Sequence, residues 1–320
     1  MKNVSVLGCG RWGTFLGWYA SKLDKNVLIW GRKNSSNLNK LQKDRKNEYL
    51  SLKDTVVLSN DLQEAIDFGN YLIISVSSQN LRELAKKINQ YNLNGKIIIL
   101  AMKGIENNTG KRLTQVVLEE IRQNIQLAIW VGPGHVQSFV NGVPNCMLIS
   151  STDVDTTKCI IEDFNSELVR LYIGQDLIGN EVGAAAKNVI GIAAGMLDGL
   201  DYASLKGALM ARGSREISRL VRAMGGNELT VYGLSHVGDY EATLFSDYSH
   251  NKNFGEAYVK NGSFEKLAEG VSTVKSMMVL AEKYNEELPI CEAINTIIHK
   301  KEDAKQVLKN LFMRSTKFEF

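Results

Sequence analysis

Val4-Ser5-Val6-Leu7-Gly8-Cys9-Gly10-Arg11-Trp12-Gly13 opens the chain with a four-residue run of strand type that leads straight into a G-x-G-x-x-G turn. From Trp12 to Leu23 apolar residues recur at helical spacing, so the turn joins a strand to a helix. In that setting each glycine has its own job. Gly8 permits the tight turn, Gly10 lets phosphates approach the backbone, and Gly13 lets helix and strand pack closely. The first N–H groups of the helix, at the positive end of its dipole, face the same phosphates. The motif alone is weak, and a glycine-rich turn without a ligand is the competing reading. Its place between a strand and a helix favours phosphate binding.

Working outward, strand-type runs recur at Val27–Trp30, Val56–Leu58, Tyr71–Val76, Lys96–Leu100, Leu127–Val131, Met147–Ile149 and Val169–Ile173. Helical patterns such as Leu81–Ile88 and Arg112–Ile121 lie between them. Continuous β-branched runs separated by helices describe a mostly parallel sheet buried on both faces, the doubly wound α/β or Rossmann-type class. Beyond Gln175 the pattern changes. Helical periodicity dominates Glu181–Leu200, Leu205–Met224, Leu267–Tyr284 and Cys291–His299, with a short helix over Asp303–Leu311. This predicts a dinucleotide-binding domain over residues 1–176 and an all-helical substrate-binding domain over residues 177–320.

With 320 residues, 44% apolar and 23% charged, the chain is long enough for two domains and is ordinary for a folded one. Its 38 basic and 35 acidic residues leave a formal charge of +3, which argues against nucleic-acid binding as its main task. The four cysteines, Cys9, Cys146, Cys159 and Cys291, are far apart and form no C-x-x-C pair. Reduced thiols in the cytoplasm are expected. The first residues lack the apolar stretch of a secretory signal. Val189–Leu197, the longest apolar run, falls far short of the roughly 18–20 residues of a membrane span. His135, His236, His250 and His299 show no metal-ligand spacing, so no metal is expected. There is no G-x-S-x-G nucleophile turn.

The end of the second strand bears on the cofactor. A site for NAD usually carries Asp or Glu there, whereas this chain reads Trp30-Gly31-Arg32-Lys33. Arg32 and Lys33 can pair with a 2′-phosphate, which favours NADP. If both are only solvated loop charges, NAD is accepted as well. Lys103 follows a buried-type strand, where it faces the ligand crevice or is simply a surface lysine. Lys187 and Asn188 are nearly the only long polar side chains between Glu181 and Gly195. A half-buried lysine there suits proton transfer, and a lysine snorkelling from a helix seam is the alternative. The glycine-punctuated loop from Gly233 to Asp239, with Thr243, Ser249, His250, Asn251, Lys252 and Asn253 after it, offers partners for a phosphate monoester. It reads equally as an exposed polar loop.

These pieces, in this order, resemble the NAD(P)-dependent sn-glycerol-3-phosphate dehydrogenase family over most of the chain. The resemblance rests on Gly8–Gly13, Trp30-Gly31-Arg32, Lys103-Gly104-Ile105-Glu106, Gly132-Pro133 and the stretch Lys187–Gly195. It continues through Asp198-Gly199-Leu200, Arg212-Gly213, Gly233-Leu234, Gly238-Asp239, Ser249, Asn251, Glu269-Gly270-Val271 and Thr273. It implies interconversion of dihydroxyacetone phosphate and sn-glycerol 3-phosphate by hydride transfer with NADP or NAD. Lys187 is then the general acid and base. Asp239, Thr243 and Asn188 support it, and Lys103 fixes the substrate carbonyl. Gly132, Gly134, Ser249, His250 and Asn251 are implied around the substrate. Arg11, Trp12, Arg32, Lys33, Lys103, Val136, His250, Leu267 and Glu269 join Gly8, Gly10 and Gly13 against the cofactor. A homodimer is also implied.

The chain departs from the family pattern in several places. The usual serine-arginine-asparagine triplet is Ser249-His250-Asn251, the serine after Gly-Pro is Gly134, and a common glycine is His236. The aromatic after that serine is His135, the asparagine of a downstream helix is Ser204, and a proline near the third strand is Ser77. Histidine offers two donors at most, against the five of arginine. The phosphate-holding face is therefore where the preferred substrate could have drifted. Another reductase of a small phosphorylated polyol ketone or hydroxy acid is one alternative; a cofactor-binding protein without catalysis is another. A substrate panel run with both cofactors separates them.

Overall fold

The computed structural model describes residues 2–315. By its internal contacts the chain forms two compact units: residues 1–103 with 111–181, and residues 104–110 with 182–320.

The first unit is built on eight strands: β1 (Val4–Leu7), β2 (Val27–Trp30), β3 (Val57–Ser59), β4 (Tyr71–Ile74), β5 (Ile97–Leu100), β6 (Gln126–Val131), β7 (Asn145–Ser150) and β8 (Val169–Gly174). Their order across the sheet is β3-β2-β1-β4-β5-β6-β7-β8. All neighbours are parallel except β6 and β7, so the mostly parallel expectation holds with one antiparallel pair. Strand β1 pairs with β2 on one side and β4 on the other, and Leu7 stands level with both Trp30 and Ile74. Chain order reverses at this point, so the turn after Leu7 occupies the topological switch where doubly wound sheets bind ligands.

The burial pattern explains why these runs read as strands. Strands β1, β2, β4 and β5 are buried at every position, as expected of a sheet with helices on both faces. Tyr19, Tyr71, Trp130 and Phe164 pack edge to face beneath it. The helix Ser36–Asp44 escapes a reading by periodicity because it buries only Leu38 and Leu41. Ser35 starts it by accepting the Leu38 N–H at 3.3 Å.

The second unit, among the described residues, is helices and turns without a strand of its own. Its principal helices are the continuation of Leu177–Gly199, then Lys206–Ala223, His250–Val259, Glu269–Tyr284, Pro289–His299 and Ala304–Phe312. Where the sequence suggested a break at residue 176, the contacts divide the chain after Glu181. The Glu181 carboxylate explains the difference. It is buried in the first unit, accepts the Thr114 N–H at 2.9 Å and hydroxyl at 2.7 Å, and pairs with Arg112. The excursion 104–110 belongs to the second unit because Ile105 is fully buried and its carbonyl accepts from Ser276 at 3.0 Å.

The glycines of Leu177–Gly199 seat the helix His250–Val259 against it. A Cβ on Gly195 would lie 1.9 Å from the Lys252 carbonyl oxygen, and one on Gly255 would lie 2.1 Å from that of Ile192. The two helix backbones touch where a side chain would otherwise keep them apart.

Candidate functional site

In the first unit the three glycines of the turn are used differently. Gly8 has φ +130°, and a Cβ there would fall 2.2 Å from the Ser75 carbonyl oxygen. A Cβ on Gly13 would fall 2.0 Å from the Gly8 carbonyl oxygen. Around Gly10 nothing lies within 4 Å of the Cβ position. Two glycines close the turn on itself, and the third leaves open space. Gly10 also starts the helix Arg11–Lys22, which has no side-chain cap and no acidic residue in its first turn. The first N–H groups of that helix are thus left for an anion.

Arg11 runs beside this opening. Its guanidinium donates to Gln137 Oε1 at 3.0 Å and lies 5.1 Å from the centre of the Tyr49 ring. Burial holds its pKa below the usual arginine value. Trp12 is half-buried against Phe15 and Phe139. Arg32 and Lys33 are exposed just past the end of β2, with no carboxylate between Trp30 and Ser36. Lys103 and Gly132 follow the neighbouring strands β5 and β6, and Lys103 Nζ donates to the Gly132 carbonyl at 2.8 Å. Gly134 has φ +146°, and the Phe139 ring would be 2.3 Å from any Cβ it carried. A serine at this position would therefore clash with Phe139 unless the ring moved. Val136, expected to touch the cofactor, has its side chain buried in the hydrophobic core.

The second unit holds the lysine centre. Lys187 is 7% exposed. Its Nζ lies 2.9 Å from Asp239 Oδ2 and donates to Thr243 Oγ1 at 2.6 Å. Asp239 ends the short 3₁₀ turn Val237–Asp239, and Thr243 lies in the π turn Glu241–Phe245. Gly191 makes room for Thr243, whose methyl would be 2.7 Å from a Cβ. The snorkelling alternative fails, since this ammonium is buried and paired.

Asn188 and Asn251 form a second layer. Asn251 Nδ2 donates to Asn188 Oδ1 at 3.0 Å, and Asn251 Oδ1 accepts the Gly270 N–H at 2.9 Å. The exposed-loop alternative for Ser249–Asn253 is also corrected. Ser249 caps the helix His250–Val259, its hydroxyl oxygen accepting the Lys252 N–H at 3.3 Å. Periodicity missed this helix because its buried residues are a lysine, Lys252, and a glycine, Gly255. His250 Nδ1 lies 3.1 Å from the carbonyl of Leu267, itself exposed, and its ring stands edge-on to Phe264. Glu269 begins the helix Glu269–Tyr284.

Sequence reasoning singled out His236 only as a departure from a family pattern, assigned it no role in the lysine centre, and missed Tyr240. Both are fully buried, and the phenol hydroxyl lies 2.7 Å from His236 Nε2. Burial pushes the His236 imidazole down to about 4, so it is neutral at ordinary pH. The one available signal was a histidine and a tyrosine flanking a Gly-Asp pair.

Two family models cover nearly the whole chain. The N-terminus of NAD-dependent glycerol-3-phosphate dehydrogenase matches residues 3–157, and its C-terminus matches residues 176–309. The chain belongs to the NAD-dependent glycerol-3-phosphate dehydrogenase family. A glycerol-3-phosphate dehydrogenase [NAD(P)+] of Fusobacterium nucleatum is 32% identical over 332 residues, covering 100% of this chain and 99% of that protein. One from Clostridium tetani is 33% identical, covering 100% and 94%. The crystal structure of glycerol-3-phosphate dehydrogenase from Coxiella burnetii matches with TM-score 0.91 at 26% identity, over 98% of this chain and 99% of that one. A D-mandelate dehydrogenase structure at TM-score 0.63 and 13% identity shares the fold alone.

The residues of the first unit fit the dinucleotide that this family name implies. The open space at Gly10 and an uncapped helix start with no acidic residue in its first turn fit a pyrophosphate. At the end of β2 the Trp30 indole N–H is buried without a partner.

Proposed function

We propose that the chain is an oxidoreductase that interconverts dihydroxyacetone phosphate and sn-glycerol 3-phosphate with NAD(P). One observation carries this reading: a buried ammonium, Lys187, is held by Asp239 and Thr243 in a chain whose relatives share its full length and bear that name. NAD(P)H, when bound, supplies a hydride. The backbone at Gly8, Gly10 and Gly13 and the start of Arg11–Lys22 take the pyrophosphate, with Arg11 and Trp12 beside it. Arg32 and Lys33 take a 2′-phosphate, which favours NADP; Leu267 and Glu269 complete the cofactor contacts.

Lys187 gives a proton to the ketone oxygen on reduction and removes it from the hydroxyl in reverse. Asp239 and Thr243 hold its ammonium in one orientation, and Asn188, tied to Asn251, steadies the next residue of the helix. Lys103, fixed on the Gly132 carbonyl, polarises the substrate. Ser249, His250 and Asn251 hold its phosphate.

No helix among the described residues is long and apolar enough to cross a membrane. The near-neutral charge and the family reading support a cytoplasmic homodimer with no nucleic-acid partner; light scattering of the purified protein tests the dimer. The decisive experiment is the loss of NADPH absorbance on adding dihydroxyacetone phosphate, repeated with NADH. Turnover is expected with both and faster with NADPH. Tight dinucleotide binding without oxidation of either cofactor would defeat the reading.

A further inference from the structure

His236 ties together two parts of the lysine centre that are remote in sequence. Its Nδ1 lies 2.7 Å from the carbonyl oxygen of Gly183, four residues before Lys187 on the helix Leu177–Gly199. In an α-helix that carbonyl is also the acceptor for the Lys187 backbone N–H. A carbonyl can only accept, so Nδ1 carries the imidazole proton. Nε2 is then an acceptor, and the Tyr240 hydroxyl donates to it across 2.7 Å. On its own backbone, the His236 carbonyl accepts the Asp239 N–H at 3.0 Å. One residue thus holds the turn that carries Asp239 and grips the helical turn that carries Lys187.

The space is shaped for this ring. A Cβ on Gly183 would lie 3.1 Å from the His236 Cβ. Ser214 Oγ, on the helix Lys206–Ala223, lies 3.3 Å from the Tyr240 phenol and extends the chain of polar contacts to a second helix. The charged groups that act on the imidazole are Lys187 and Asp239. Glu216, Cys291 and Tyr232 act on the phenol.

We propose that His236 is a positioning residue for the proton donor. Its neutral, Nδ1-protonated ring, backed by Tyr240, sets the Asp239–Lys187 pair in register for proton transfer. The inference rests on Lys187 being that donor. The side chain of His236 thus ties the turn that carries Asp239 to the helix that carries Lys187.

The test uses the full-length enzyme and compares kcat, KM and the pH profile of kcat among variants. His236→Phe keeps the volume but loses both hydrogen bonds. It is expected to lower kcat up to about a hundredfold, the effect of a misplacement of about 1 Å. It should also displace the ionisation limb of the kcat profile while leaving cofactor affinity unchanged. His236→Asn, which can still donate to the Gly183 carbonyl, should recover most of the loss. A folded His236→Phe enzyme with the wild-type kcat and pH profile overturns the proposal.

Should His236→Phe not fold, two measurements still decide. Tyr240→Phe removes the donor to Nε2, along with the Ser214 contact, and should also move the profile. Nitrogen NMR of the wild-type enzyme, with the signal assigned by His236→Asn, should show one Nδ1–H tautomer that stays neutral well below 6.5, the ordinary value for histidine. An imidazole that titrates near that value refutes the clamp. Lys187→Ala separates this idea from the one beneath it. If Lys187→Ala retains turnover, the donor assignment fails and the clamp's catalytic role with it. If Lys187→Ala is inactive while His236→Phe behaves as wild type, the clamp alone fails.

Discussion

The turn Gly8–Gly13 of the first unit and the Lys187 centre of the second prepare for chemistry in opposite ways. The turn works by removing side chains. Gly10 leaves open space in front of an uncapped helix, and the groups offered to a ligand are backbone N–H donors. The lysine centre works by crowding them. Lys187, Asp239, Thr243, His236 and Tyr240 are all buried, and their polar atoms find partners in one another. A backbone cradle depends on a short contiguous motif. A buried ionic centre depends on elements about fifty residues apart meeting within hydrogen-bond distance. A buried charge without its partner is costly, so the second arrangement tolerates less change.

The largest expected effect tests the crowded side. Lys187→Ala should lower kcat by roughly 10²–10⁴, the usual contribution of a positioned acid or base, while dinucleotide binding by fluorescence titration stays near wild type. Substantial remaining turnover would place the donor elsewhere. On the empty side, Gly13→Ala and Gly10→Ala should behave differently. The Gly13 Cβ meets the Gly8 carbonyl at 2.0 Å, and overpacking of that kind costs about 1–3 kcal/mol, read as a lower denaturation midpoint. Gly10→Ala should leave the midpoint nearly unchanged and raise the KM for the cofactor. Equal midpoints for the two variants would contradict the division of labour in the turn.

A third comparison asks whether burial of charge in the second unit is visible in stability. Glu216 accepts the Ile290 and Cys291 N–H groups at 2.8 and 3.0 Å, yet burial pushes its carboxyl up to about 7. The folded state therefore holds this proton more tightly than the unfolded chain, whose group has the ordinary value of 4.5. Its contribution to stability should fall as pH rises from about 4.5 to 7 and level off above. Urea titrations of wild type and Glu216→Gln across that range should show the slope flatten in the variant. An identical slope in both proteins removes Glu216 as its source.

Smaller effects are expected at the exposed ends of the two regions. Replacing Arg32 and Lys33 by alanine should weaken NADPH about tenfold, the loss of one charge-assisted contact, and leave NADH unaffected. A parallel loss for both cofactors would mean that the pair does not read the 2′-phosphate. His250→Arg should shift the KM for dihydroxyacetone phosphate by a few-fold with little change in kcat, in keeping with one altered contact of about 0.5–1.5 kcal/mol. An unchanged KM would remove His250 from the substrate site.

Much of the fold was legible because the strands are continuous apolar runs. Expected and observed bounds agree within two residues at every strand; β7 runs from Asn145 to Ser150, two residues before and one after its apolar centre. The misses share a cause. The helix His250–Val259 is amphipathic only in three dimensions, because the backbone of Ile192 covers Gly255 and Asp198 and Asp247 neutralise the buried Lys252. The helix Ser36–Asp44 shows only two buried residues to any test of periodicity.

The amino-acid order alone determined the doubly wound sheet, the glycine turn after its first strand, the helical second half and Lys187 as the candidate proton donor. Each follows from local order along the chain: continuous apolar runs for strands buried on both faces, a 3.6-residue period for helices and a contiguous motif for the turn. Tertiary structure decided who surrounds that lysine. Asp239 and Thr243 reach it from turns more than fifty residues away, and His236 and Tyr240 are joined to its helix by hydrogen bonds that no local pattern encodes. Burial keeps the His236 imidazole neutral, and burial is a property of the packed chain.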